Sequence, residues 1–219
     1  MNNQGEYIKQ LEDVITRFLE PVKEIPFPIV IKVLTGCKVL AFDSKKDEEL
    51  LKRLSKAAES ACKNAFQEGI FTARPNEAGN RIEPYVVEAL KSVGLEAGKP
   101  TSKSGKKKLA GYPDIQIDDE LGRRIYLECK TYSAGTKEQS FRTFYFSPSK
   151  DPKITKDAFH LLMSFKLDTG ERKSRRAFIP ISWQIYDLYK LRIQVKHEFN
   201  ASNRDLYTKE ALLAEGIIE

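Results

Sequence analysis

Cysteine, histidine and tryptophan are scarce in this chain, and the scarcity of the first two excludes whole classes of site. The three cysteines, Cys37, Cys62 and Cys129, are odd in number and far apart, which fits reduced thiols and argues against a disulfide framework or a cysteine zinc site. The two histidines, His160 and His197, have no partner at ligand spacing, so both are expected to be structural or exposed. No apolar run approaches the roughly 20 residues that span a bilayer. The opening Met1-Asn-Asn-Gln-Gly-Glu has neither the basic n-region nor the apolar h-region of a signal peptide, so a cytoplasmic location is expected. Repeats and long low-complexity segments are missing as well. With 219 residues, 41% of them hydrophobic, the chain can bury a core as one domain or one domain with an appendage.

What the chain does have is a pair of strand patterns that face charges toward each other. Tyr112-Pro113-Asp114-Ile115-Gln116-Ile117 is followed by the polar, glycine-containing turn Asp118 to Arg123, and then by Ile125-Tyr126-Leu127-Glu128-Cys129-Lys130-Thr131. Both segments alternate as half-buried strands do, and the turn suits a hairpin. Ile115 and Ile117 share one face of the first, and Ile125, Leu127 and Cys129 one face of the second. The opposite face carries Asp114, Glu128 and Lys130. Residues two apart lie about 6.6 Å apart along a strand, so Glu128 and Lys130 reach the same small ion or water. Two carboxylates on rigid strands are half of a hard-cation site, because Mg²⁺ takes carboxylates, retained waters and phosphate oxygens. A lysine beside them points to phosphate chemistry, since its ammonium can hold an attacking water or neutralise charge on phosphoryl oxygens. A second Glu-x-Lys triplet, Glu171-Arg172-Lys173, lies in the run from Asp168 to Arg176, which lacks apolar alternation and reads as a loop. For the two strands taken alone, a solvated hairpin with ordinary exposed charges remains the plainer alternative.

Pro113-Asp114 together with Glu128-Cys129-Lys130 resembles the PD-(D/E)xK nuclease superfamily and, within it, type II restriction endonucleases. The resemblance covers about half the chain. It implies an α/β fold with a mixed central β-sheet flanked by helices, in the order helix, three antiparallel strands, helix, strand. The chain can be read in that order from about Arg81 to Leu188. A helix is expected from Glu83 to Val93, with Pro84 at its first position. The hairpin supplies two strands and Ser140 to Phe146 the third. Ala158, Leu161, Leu162 and Phe165 fall at helical spacing, so a second helix is expected from near Thr155 to Gly170. Arg176 to Leu188 is the fourth strand, in which Pro180 requires an edge position or a bulge. Residues 76–219 would form this core and its C-terminal extension. Residues 1–75 would form a mainly helical region for dimerisation or for one wall of a DNA cleft.

The resemblance also implies roles. Asp114 and Glu128 would hold Mg²⁺ with the backbone carbonyl of Cys129, Mn²⁺ substituting; Lys130 would orient the attacking water; and a glutamate on the first helix would support the site. Glu83 fits that glutamate best, with Glu77 and Glu88 as rivals, although a carboxylate at a helix start would equally complement the helix dipole. The implied activity is that of a homodimer cutting both strands of duplex DNA at a short specific sequence, leaving 5′-phosphate and 3′-hydroxyl ends. A structure-selective repair nuclease or junction resolvase of the same fold is the nearest alternative. A non-catalytic basic nucleic-acid-binding module is the alternative of another class.

The net charge of +6 is unevenly distributed. Lys103, Lys106, Lys107 and Lys108 lie just before Pro113-Asp114, while Arg172, Lys173 and Arg175 open the fourth strand. Lysine-rich loops usually only solvate a surface, but an acidic site that meets DNA needs compensating cations, which makes these seven the DNA-binding candidates. Upstream, Tyr7, Ile8, Leu11, Val14, Ile15, Phe18 and Leu19 mark an amphipathic helix suited to core or subunit packing. Residues 28–42 read either as a hairpin or as a helix ended by Gly36, followed by a helix capped by Ser44 that carries Leu50, Leu54, Ala57, Ala61 and Ala65. Toward the end, Leu191 to Phe199 reads as a strand and Lys209 to Gly216 as a short helix.

Overall fold

The computed structural model describes residues 3–20, 22–72, 77–107, 111–133, 144, 146–195, 202 and 204. In chain order they form α1 (Asn3–Leu19), β1 (Ile25–Pro26), α2 (Phe27–Thr35), β2 (Val39–Leu40), α3 (Glu48–Glu68), α4 (Ala78–Ser92), β3 (Glu96–Gly98), β4 (Ile115–Asp118), β5 (Arg124–Ser133), β6 (Ala158–Arg172), β7 (Arg175–Asp187) and β8 (Arg192–Ile193). The chain divides into two compact units. One runs from Pro26 to Arg192; the other joins Met1–Ile25 to Ile193–Glu219. In the second, α1 is the amphipathic helix expected from its spacing, and its apolar residues Tyr7, Leu11, Val14, Ile15 and Phe18 are exposed.

The larger unit is an α/β fold around a six-stranded mixed sheet in the order β2-β6-β5-β4-β3, with β7 also pairing β6. β3, β4 and β5 are antiparallel, and β6 runs parallel to β5 from Ile125↔Phe159 to Ser133↔Leu167. One sheet face is apolar: Ile115, Ile117, Ile125, Leu127, Cys129, Leu161, Met163 and Phe165 pack on the buried sides of α3 and α4. Small residues in α3, namely Ala57, Ala58, Ala61 and Ala65, are fully buried there and let the helix approach closely. Gly69, which ends α3 at φ 76°, is required on two counts. A Cβ there would meet Arg172 Cγ at 2.8 Å and the Ala177 methyl at 2.9 Å, and the positive φ suits glycine alone.

Several sequence expectations need correction. The segment expected to be a helix from Thr155 to Gly170 is strand β6. It is central and covered on both faces, so its apolar residues run almost continuously, and the helical spacing within that run carries no information. The expected third strand, Ser140 to Phe146, lies largely outside the described residues; the third antiparallel strand of the sheet is β3, three residues long and upstream of the hairpin. Asp168 to Arg176 is no loop. It is the end of the β6–β7 hairpin, turned by Lys173 and Ser174 at φ 53° and 56°, the signs a two-residue type I′ turn demands.

The first core helix starts at Ala78 rather than Glu83, so Pro84 lies inside α4. Residues 28–42 take the helical alternative: α2 closes on Gly36, whose N–H donates to the Lys32 carbonyl at 2.9 Å. Asp47, not Ser44, precedes α3. Pro180 fits both halves of its expectation, since β7 is an edge strand whose register shifts between Lys166 and Leu167, where Ile181 is skipped. The tail strand shrinks to β8, with residues 196–200 and the expected helix at 209–216 outside the described residues. Among the described residues no helix is long and apolar enough to cross a membrane.

Candidate active site

Pairing of β4 with β5 ends at Ile115↔Leu127. One residue earlier the chain has left the ladder, and the Asp114 side chain takes the place of a backbone partner: its Oδ2 accepts the Cys129 N–H at 2.9 Å. In an extended strand the N–H and C=O of one residue point to the same side, so the Cys129 carbonyl faces the flank where Asp114 sits. The Cys129 thiol is buried on the opposite, helix-covered face, as its alternation predicts.

Glu128 is only 4% exposed. Its Oε1 accepts a hydrogen bond from Lys130 Nζ at 2.6 Å, whereas its Oε2 is buried without a partner. Burial first, and then the charge of Asp114, push the Glu128 carboxyl up to about 7 against the pull of Lys130. Burial disfavours the Lys130 ammonium, but Glu128 and Asp114 outweigh it and raise its pKa. Two carboxylates thus repel each other in a site with an unused buried oxygen. Those are conditions that a hard divalent cation relieves. Among the described residues no three acidic, histidine or cysteine side chains gather as a ligand set by themselves; Mg²⁺ commonly uses one or two carboxylates and completes its shell with water and substrate phosphate.

Of the three helix glutamates, Glu83 is buried, while Glu77 and Glu88 are exposed. Because α4 begins at Ala78, Glu83 lies beyond the first turn, where the helix dipole has little hold on it. It is instead ion-paired with Lys99, just past β3. Sequence reasoning missed Lys153. This residue is 5% exposed, and its Nζ donates to the carbonyls of Gly111 and Pro113, the latter at 2.8 Å. Burial lowers its pKa, opposed by the nearby charges of Asp114, Glu128 and Glu83 and assisted by Lys99. Nothing in Ser147-Pro-Ser-Lys-Asp-Pro-Lys-Ile marks one lysine of the stretch as buried.

Behind the acidic residues, the same sheet face becomes aromatic. Phe27 of α2, Tyr112, Phe144, Phe146 and His160 pack together with centroids 5.2–6.0 Å apart, edge to face or tilted except for Tyr112 and His160, which stack. His160 Nδ1 lies 2.6 Å from the Tyr112 hydroxyl. Burial drops the imidazole pKa to about 3, so His160 is a neutral core residue, as expected. His197 lies outside the described residues.

The two basic clusters part company. Lys103, Lys106 and Lys107 are exposed on the loop that leads to Asp114, and Lys108 is outside the described residues. That loop is tied to the strap carrying Lys153: Lys103 N–H donates to the Pro152 carbonyl at 3.0 Å, and Ser104 N–H and Oγ–H to Asp151 at 2.8 and 2.9 Å. Lys173 turns the hairpin nine residues beyond Ser164, the cross-strand neighbour of Lys130, a distance of roughly 30 Å along the strand. There the Arg172 guanidinium stacks on Phe66 at 4.7 Å and donates to the Phe66 carbonyl, and Arg175 lies over Phe71 at 5.1 Å.

The family described as type II restriction enzyme MjaV matches residues 21–210 of this chain. The chain is also similar to the type II restriction enzyme MjaV of Methanocaldococcus jannaschii, at 38% identity over 226 residues covering 95% of this chain and 96% of that protein.

Proposed function

Since this chain belongs to the type II restriction enzyme MjaV family, we propose that it cuts both strands of duplex DNA at a short specific sequence by metal-dependent hydrolysis, leaving 5′-phosphate and 3′-hydroxyl ends. The observation that carries the chemistry is the convergence of Asp114 and Glu128 around Cys129, with Lys130 hydrogen-bonded to Glu128. Asp114, Glu128 Oε2 and the Cys129 carbonyl are the groups that would hold Mg²⁺ or Mn²⁺. When bound, such an ion supplies Lewis acidity toward the scissile phosphate and a more acidic water. The chain's own residues do the rest. Lys130, whose Nζ stands beside Glu128, would aim that ammonium at the attacking water and at charge building on the phosphoryl oxygens. Glu83, held by Lys99, supports the site from α4. Lys103, Lys106, Lys107 and Lys108 precede Asp114 and offer the DNA backbone a cationic approach.

Two cuts on opposite strands call for two such sites, and a two-fold dimer presents one surface to both halves of a palindrome. The exposed apolar side of α1, with Leu11, Val14, Ile15 and Phe18, is a candidate for the dimer contact. The decisive experiment is digestion of a long phage DNA by the purified protein. Discrete bands with Mg²⁺ or Mn²⁺, none in excess EDTA, and binding with little cutting in Ca²⁺ are expected. A smear, or ends clustering at branch points, would favour a structure-selective nuclease, and intact DNA with tight binding a non-catalytic module.

A further inference from the structure

Asp114 has to stand at a fixed place relative to β5, yet it is not itself part of a strand. Its carboxylate is tied to the Cys129 N–H, but its main chain comes out of the turn Gly111-Tyr112-Pro113, where no ladder holds it. The backbone oxygens on either side of Tyr112 both converge on one buried ammonium, Lys153 Nζ. The strap bearing that lysine is itself fixed to the sheet: Thr155 N–H donates to the Tyr126 hydroxyl of β5 at 2.9 Å, and Ala158 N–H to the Lys38 carbonyl at 3.1 Å. Ile154 beside it is buried. Burying an ammonium is costly, and the third donor of an –NH₃⁺ has to be satisfied as well, so a lysine placed only for packing would be better replaced by an apolar residue.

We infer that Lys153 is a positioning residue of the cation site: by clamping the Gly111 and Pro113 carbonyls it holds the turn that delivers the Asp114 carboxylate opposite Glu128. The inference rests on the reading of Asp114 and Glu128 as the metal-holding carboxylates. Its consequence runs against simple electrostatics. A positive charge near a cation site weakens cation binding, so deleting that charge should, on Coulomb's law alone, tighten it. If the lysine positions Asp114, the same deletion loosens it, because supporting groups of this kind typically contribute 10–100-fold to metal affinity.

The test is a Mn²⁺ titration of the full-length protein without DNA, followed by electron paramagnetic resonance of the free ion. It is run on the wild type, Lys153→Met and Lys153→Gln, with Asp114→Asn as the reference for a broken site and circular dichroism as the check on folding. Lys153→Met should bind Mn²⁺ some 10–100-fold more weakly, with the half-saturating Mg²⁺ concentration for cleavage rising in step and metal-free DNA binding unchanged. Lys153→Gln, which retains a neutral donor for the carbonyls, should fall between Lys153→Met and wild type. Unchanged or tighter Mn²⁺ binding by Lys153→Met overturns the inference. If Lys153→Met does not fold, Lys153→Gln decides by the same criterion, and loss of the fold in both variants also overturns it, since the lysine would then support the whole fold rather than one turn. A wild-type protein that takes up no Mn²⁺ defeats the metal-site reading itself, an outcome distinct from any difference among the variants.

Discussion

The two faces of the central sheet are built from alternate residues of the same strands, and they are put to different uses. On the face toward α3 and α4, Ile125, Leu127, Cys129, Met163 and Phe165 belong to the apolar core cluster. On the other, Tyr126, Glu128, Lys130, His160 and Ser164 occupy the intervening positions. All three described buried side-chain atoms without a partner, Glu128 Oε2, His160 Nε2 and Ser164 Oγ, lie on this second face. Buried polar atoms are almost always satisfied, so exceptions gathered on one face mark where stability was not the only requirement. A one-residue register slip would exchange the two faces, so the apolar packing of one fixes the placement of charges on the other.

The largest separation between the faces should appear when each is cut in turn. Glu128→Gln and Asp114→Asn preserve shape and, for Asp114, an acceptor for the Cys129 N–H. Cleavage in Mg²⁺ should fall by at least about 100-fold in each. Glu128→Gln should change stability by no more than about 1 kcal/mol, because Lys130, whose side chain is 34% exposed, keeps access to water. Glu171→Ala, in the competing triplet at the hairpin end, should cut like wild type. Single-turnover rates with urea melts of the same preparations give both numbers, and a Glu128→Gln enzyme that cuts normally would remove the site from this face.

The converse substitution belongs on the apolar face. Phe165 is fully buried there, and Phe165→Ala should cost about 3–5 kcal/mol of stability through lost transfer energy and the cavity left behind. The cleavage rate of whatever protein remains folded should be close to normal. Equal losses of stability for Phe165→Ala and Glu128→Gln would erase the distinction between the faces.

Acid should act on the second face alone, in two opposite directions. His160 has its folded pKa depressed to about 3 from 6.5. The unfolded chain therefore binds its proton first, and the stability conferred by the neutral ring is lost as pH falls from 6.5 toward 3. Glu128 is raised from 4.5 to about 7, so its contribution is present below 4.5 and is lost as pH rises through 7. Between pH 4.5 and 6.5 the two slopes oppose, flattening the pH dependence of the metal-free protein. In EDTA, the stability of His160→Gln relative to wild type should rise by up to about 1.4 kcal/mol for each unit of acidification in that window, and that of Glu128→Gln should fall. Parallel pH curves for wild type and His160→Gln would mean that the ring is not held neutral.

How much of this was readable follows from how local each signal is. The β4–β5 hairpin was legible because one apolar face alternates within a dozen residues, and α1 and α3 because their stripes repeat every three to four. β6 was not. Ala158, His160, Leu161, Leu162, Met163 and Lys166 are poor strand markers, and a strand covered on both faces has no alternation to find. β3, at three residues with a glycine, is below any periodic signal. Lys153 was invisible for another reason: its burial depends on a turn about 40 residues upstream, and composition cannot tell that lysine from Lys150 or Lys156, which are exposed.

The smallest effect concerns the far end of the sheet, where both faces thin out into the turn Lys173-Ser174. Each residue sits at positive φ, a conformation that costs an L-residue roughly 1–2 kcal/mol and that asparagine tolerates better and glycine freely. Ser174→Gly should therefore stabilise the protein by up to about 1 kcal/mol, partly offset by the greater freedom of glycine in the unfolded chain. It should leave DNA binding alone. Lys173→Asn relieves the same strain and removes one charge about 30 Å from Lys130 along the strand, so comparing the two separates turn energetics from DNA contact. If Lys173 engages a phosphate, the slope of log affinity against log salt should be shallower by about 0.9 in Lys173→Asn and unaltered in Ser174→Gly. The same slope in both would leave Lys103, Lys106 and Lys107, on the loop leading into Asp114, as the cationic track and confine DNA to the end of the sheet where the carboxylates stand.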